Sequence, residues 1–182
     1  MSGRIQKQLW EVALDQHGYV TSGNAVELGI NVVELGKLSS RGQLQKIAYG
    51  IYRFEQLPET GFEMYMLATL WTGGVLSHDT ALELWQLCEI NPTKIHVTVT
   101  GRPRRHKEGG EAYVVHPGHL TADEISYYER IPIVRPNTAI AQGIRSGVQS
   151  HLLVEAIETA KKRGLITALD LDGHYEQLKD RR

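Results

Sequence analysis

The sequence predicts an α+β fold in two parts: a small helix-rich unit closed by a β-hairpin over residues 1–56, and a mixed α/β domain over residues 57–182. Three observations carry this. Apolar residues recur at helical spacing near the N-terminus, at Ile5, Leu9, Val12 and Ala13. Two β-rich runs, Leu44–Ile47 and Ile51–Phe54, flank a short glycine-bearing connection at Ala48-Tyr49-Gly50. Beyond the polar, breaker-containing stretch Gln56–Gly61, the expected linker, strand-like and helix-like segments alternate to the end of the chain.

In order, residues 4–16 read as a helix, with Trp10 and Leu14 widening its apolar stripe and Gly18 ending it. Tyr19-Val20 is a short extended piece. Thr21 or Ser22 then caps a second helix to about Leu28, because a hydroxyl there accepts from unpaired first-turn amides. Gly29 breaks that helix. Asn31 caps a third helix from Val32 to Arg41, which Gly42 ends, and the hairpin follows. In the second part, Phe62–Trp71 reads as a helix, and Ser77 caps another to about Leu87. Ile95–Val99, Glu111–Val115 and Ile131–Val134 are strands. Pro136 starts a helix that Gly147 closes, Leu152–Lys162 is strongly periodic, and Leu169–Leu178 is a final helix.

Composition bounds the function. The 182 residues are 41% hydrophobic and 23% charged, the profile of an ordinary globular protein with a core. No run approaches the roughly 18 apolar residues of a membrane span, and the N-terminus lacks an apolar leader, so a cytoplasmic protein is expected. Cys88 stands alone, which excludes an internal disulfide and a zinc finger built on paired cysteines. Net charge is -1, with 6 basic and 5 acidic residues before position 57 against 14 and 16 after it. Any basic surface must therefore come from placement rather than surplus.

The order helix, short strand, helix, turn, helix, hairpin matches a winged helix-turn-helix, so binding of double-stranded DNA is expected. At about 100° per residue, Glu34, Lys37 and Arg41 of the third helix share a sector of roughly 60°. Val32 and Leu35 lie on the other side, where they would pack on the first two helices, with Leu38 at the edge. The polar side would enter the major groove, with Lys37 and Arg41 at guanine edges or phosphates and Glu34 accepting from a cytosine amine. Asn31 and Ser40 flank that face. Thr21 and Ser22 are further candidate contacts, and Gln45, Lys46 and Tyr49 of the hairpin would reach phosphates or the minor groove.

The chain also resembles the AbiEi antitoxins of abortive-infection type IV toxin–antitoxin systems. The likeness runs through Gly18-Tyr19-Val20-Thr21, Leu28-Gly29-Ile30, Leu35-Gly36-Lys37-Leu38, Arg41-Gly42-Gln43-Leu44 and Tyr49-Gly50-Ile51-Tyr52. It continues in Val75–Leu84, the strand Ile95–Thr100 with the basic segment after it, and Ile131–Pro136. Many relatives carry an Arg-Thr-Leu run with a following Asp where this chain has Asn137-Thr138-Ala139-Ile140-Ala141-Gln142. The resemblance implies an autorepressor that binds inverted repeats in its own promoter. It also implies a second domain that counters a nucleotidyltransferase-like toxin without a stable complex between the two.

In the second domain, Arg102, Arg104, Arg105 and Lys107 form the densest positive patch and are candidate additional phosphate contacts. His116-Pro117-Gly118-His119 is a turn rather than the helical spacing of strong metal motifs, so no metal site is expected. No cofactor is expected either, for the chain lacks a glycine-rich phosphate loop. Ser77-His78-Asp79 holds triad residue types, but neighbours in sequence cannot turn toward one another as a triad requires, and no enzyme is expected. The alternative is a winged-helix protein whose second domain docks a protein or catalyses a reaction unrelated to any toxin. Self-association on DNA is compatible with either.

Overall fold

The computed structural model describes residues 2–101 and 110–181 of the chain. It is a mixed α+β protein with two separate sheets, and it divides into two compact units, Met1–Trp71 and Thr72–Arg182.

The first unit begins with α1 (Ser2–Asp15), β1 (Tyr19–Thr21), α2 (Ser22–Glu27) and α3 (Val33–Ser40). It continues with the hairpin β2 (Gln45–Ala48) and β3 (Ile51–Arg53), and with most of α4 (Glu63–Thr72). β3 lies between β1 and β2, antiparallel to both. Thr21 caps α2 through a reciprocal arrangement with Asn24, the side chain of each accepting from the backbone amide of the other. Leu9 and Ala13 from α1, Val20, Ala25, Leu35, Leu38, Leu44 and Phe54 form one buried cluster. Trp10 meets the Phe54 ring edge-on, with centroids 5.0 Å apart.

The first unit runs past the expected boundary at residue 56. Leu57 joins its core, Thr60 Oγ1 lies 2.7 Å from His17 Nδ1, and Phe62 packs against the His17 ring. The polar stretch read as a linker is therefore tied to the end of α1. Val32, expected on the packed side of the third helix, is exposed, because Leu35 and Leu38 alone on that helix meet the core.

In the second unit the sheet order is β6-β5-β4-β8-β7. β4 (Val75–Leu76) runs antiparallel to β5 (Ile95–Val99) and parallel to β8 (Ile131–Val134). β6 (Tyr113–Pro117) is parallel to β5, and β7 (Ile125–Tyr128) closes an antiparallel hairpin with β8. The strand expected from Glu111 starts at Tyr113, since Gly110–Ala112 form a single 3-10 turn. The helices are α5 (His78–Leu84), α6 (Pro136–Ser146), α7 (Ser150–Lys162) and α8 (Ala168–Asp180). Leu76, Leu82, Val97, Ile133, Ile140, Leu153 and Ile157 are buried in this unit's core.

Ser77 stands at the N-cap of α5, as expected, but without the side-chain bond of a cap. It is buried, and its hydroxyl lies 2.9 Å from His78 Nδ1. The first-turn amide of His78 donates instead to Gln142 Oε1 of α6, at 3.0 Å. Gly74, just before β4, sits where an added Cβ would stand 2.8 Å from both Thr98 O and Val99 Cγ2. A backbone carbonyl in a sheet cannot yield as a side-chain tip can. Gly74→Ala is expected to destabilise the protein by about 1–3 kcal/mol in urea unfolding; a wild-type midpoint would refute this close approach.

Candidate nucleic-acid interface

The face of α3 that turns away from the core carries Val33, Gly36, Lys37 and Ser40, residues spaced so that they stack on one side of a helix. Beside it stands the β2–β3 hairpin. Its turn is Tyr49-Gly50, with Gly50 at φ +71°, a conformation that glycine adopts without steric penalty. A register shift between Lys46 and Ala48 adds a bulge to β2, which sharpens the local twist. Helix and hairpin together border an open groove of about 520 Å³. Ser22, Val32, Val33, Gly36, Lys37, Ser40, Lys46, Tyr49, Gly50 and Tyr52 line it. Tyr49 is 96% exposed at the hairpin tip.

The residues expected to contact DNA divide into two groups. Ser22, Lys37, Ser40, Lys46 and Tyr49 line this groove. The others have different positions. The Thr21 hydroxyl is committed to the cap of α2. Asn31 Oδ1 accepts from the Val33 amide at 3.0 Å, holding the start of α3. Arg41 follows the last turn of α3 and is exposed. Gln45 belongs to a different depression, lined also by Tyr19, Arg53, Glu59 and Glu63. Glu34 pairs with Lys37, Oε1 to Nζ at 2.6 Å. Arg102, Arg104, Arg105 and Lys107 lie outside the described residues.

Sequence reasoning misplaces one residue of the groove, Val32, set on the packed side, and assigns Val33 and Gly36 to no face. Val32 and Val33 are 42% and 60% exposed, and Gly36 has nothing within 4 Å of where a Cβ would stand. The i, i+3, i+4, i+7 spacing of Val33, Gly36, Lys37 and Ser40 is the signal available, and the sector drawn from the charged residues Glu34, Lys37 and Arg41 leaves it unused. The Lys37–Glu34 pair is solvent-exposed and worth at most about 1 kcal/mol, so a phosphate or base edge can displace the carboxylate readily. Ser40 Oγ donates to Lys37 O at 2.9 Å, so toward the groove it acts only as an acceptor.

The second unit gathers three histidines that the sequence did not connect. His116 Nε2 and His96 Nδ1 are 3.1 Å apart, and the His78 ring stacks on His116 with centroids at 3.5 Å. Burial, reinforced by the neighbouring imidazoles and Arg145, pushes His78 down to about 3. Burial lowers His96 and His116 as well, against the opposing charge of Asp79. His116 and His119, weighed together in the sequence, do not form a pair with each other in this cluster. Among the described residues, no group of three or more His, Cys, Asp and Glu side chains is arranged to hold a metal ion. Nor is any described helix long and apolar enough to cross a membrane.

No family model matches the chain, and no curated protein matches it. Among solved structures, the crystal structure of the RV2827C protein from Mycobacterium tuberculosis superposes with a TM-score of 0.51. The two chains share a fold. Sequence identity is 13%, and the match covers 95% of this chain and 71% of that one. At that identity the likeness speaks for the mixed α+β architecture and for nothing finer.

Proposed function

We propose that the first unit is a winged helix-turn-helix and that the protein binds double-stranded DNA as a transcriptional autorepressor. In this reading α3 is the recognition helix and the β2–β3 hairpin is the wing. The observation that carries it is the open groove in which an exposed face of α3 and the hairpin place Lys37 and Lys46 on opposite elements. Tyr49 projects at the hairpin tip, where an exposed aromatic suits contact with backbone or minor groove. The AbiEi resemblance extends the proposal. The target is an inverted repeat in the protein's own promoter, and the protein is a cytoplasmic antitoxin that counters a nucleotidyltransferase-like toxin without stable association.

The test is a gel shift on the protein's own promoter with a salt titration. Log affinity is expected to fall linearly with log salt, with a slope of about −0.9 per phosphate neutralised. No shift at any salt, or a shift independent of salt, overturns the DNA-binding reading. The antitoxin part is tested separately by co-expression with the neighbouring operon gene. Relief of that gene's toxicity supports it, and unrelieved toxicity removes it while leaving DNA binding intact.

A further inference from the structure

The groove that the DNA-binding reading places against the duplex is unusual in what it lacks. Guanine is read by forked hydrogen bonds from arginine or lysine, and adenine by paired hydrogen bonds from asparagine or glutamine. None of the residues lining the groove is arginine, asparagine or glutamine. Its α3 side offers two valines, a glycine, a single lysine whose weak surface pair with Glu34 leaves it to the phosphates at the groove's border, and a serine whose hydrogen is given to the backbone. The remaining base-edge feature of the major groove is the 5-methyl group of thymine, which is recognised by apolar contact.

We infer that Val33, supported by Val32, reads thymine methyl groups at the centre of each half-site. The inference rests on the DNA-binding reading and names what that site selects. Val33 is 60% exposed on the first turn of α3, where no side chain of the first unit's core covers it. The leucines of α3 are buried and Val32 is the more covered of the two valines, so Val33 is the apolar surface that gains most from leaving water. Gly36 lies on the same face with open space around it, so no side chain holds the helix away from the floor of a major groove. Lys37 on α3 and Lys46 on β2 border the apolar strip with positive charge. That arrangement matches an apolar methyl row between two phosphate backbones better than it matches a protein surface.

The test uses the full chain and duplexes of its own promoter in which single thymines are replaced by deoxyuridine, which removes the methyl group and leaves every hydrogen bond. Replacing one or two particular thymines in each half-site is expected to cut affinity about fourfold, the equivalent of about 0.8 kcal/mol. Val33→Ala, at an exposed position, is expected to weaken binding to thymine DNA by a similar factor and to show no further weakening on the deoxyuridine duplex. Two outcomes overturn the inference while leaving DNA binding standing. In one, the wild type binds the promoter and is indifferent to every replacement. In the other, Val33→Ala weakens binding equally on both duplexes. Absence of any promoter shift removes the DNA-binding reading and this inference with it.

Discussion

Replacing Lys37, Arg41 and Lys46 together with alanine is expected to abolish specific promoter binding while leaving thermal stability within about 0.5 kcal/mol of wild type. Each cation at a phosphate or base edge is worth about 1–3 kcal/mol, so removing three costs more than about a hundredfold in affinity. The salt slope should flatten by about 0.9 for each phosphate that is no longer neutralised. Stability is spared because all three side chains are exposed, and the Lys37–Glu34 pair is a solvent-screened surface interaction. Lys37 carries a second effect, since its removal leaves Glu34 unpaired close to the DNA. Glu34→Gln in the Lys37→Ala background should therefore recover part of the affinity. Unchanged affinity and slope in the triple variant, with an unchanged melting profile, would place the DNA elsewhere on the molecule.

The first unit was legible because its elements are specified locally. Helical periodicity, the Thr21 cap, and glycines at 18, 29, 42 and 50 each act within a few residues, and the observed α1, β1, α2, α3, β2 and β3 follow them. What failed there was the assignment of faces. Binary patterning sends valine inward, yet α3 is only eight residues long and its two leucines already fill the space over the core. Two short strands of the second unit escaped notice for different reasons. β4 has two residues, too few for any alternation to register. The β7–β8 hairpin turns at Glu129-Arg130, both left-handed at φ 46° and 66°, without the glycine or asparagine that signals such a turn in sequence.

The histidine cluster was illegible for a topological reason. β5 and β6 pair in parallel, with Thr98 opposite His116, and β4 lies on the other side of β5. The three imidazoles thus come from separate passes of the chain, and no local spacing encodes their meeting. The same holds for Gln142, whose hydrogen bond with the His78 amide joins α5 to α6 across 64 residues of sequence.

That cluster is expected to make the protein acid-labile in a window set by histidine rather than by carboxylates. His78 is lowered from 6.5 to about 3, first by burial and then by the charges of His116, His96 and Arg145. The folded state therefore holds these imidazoles neutral, while the unfolded chain takes up protons below about pH 6.5. Stability is complete above that value and falls progressively as the pH drops from about 6.5 toward 3. His96 and His116 act in the same direction, with Asp79 opposing. His174 acts likewise: it is buried, its Nε2–H donating to Asn137 Oδ1. Because His78 keeps some exposure to solvent, screening discounts its share, and a loss of about 2 kcal/mol between pH 7 and pH 5 is expected for the second unit. Hydrogen exchange of α5 and α6 across that interval measures it, above the range in which Asp170 and Glu63 titrate. His78→Asn should reduce the dependence, since asparagine tolerates the φ of +52° at this position and carries no charge in acid. The residual slope then belongs to His96, His116 and His174. Protection that stays constant from pH 7 to pH 5 would show that the imidazoles are protonated without consequence for the fold, and a slope that His78→Asn leaves unaltered would remove His78 from its cause.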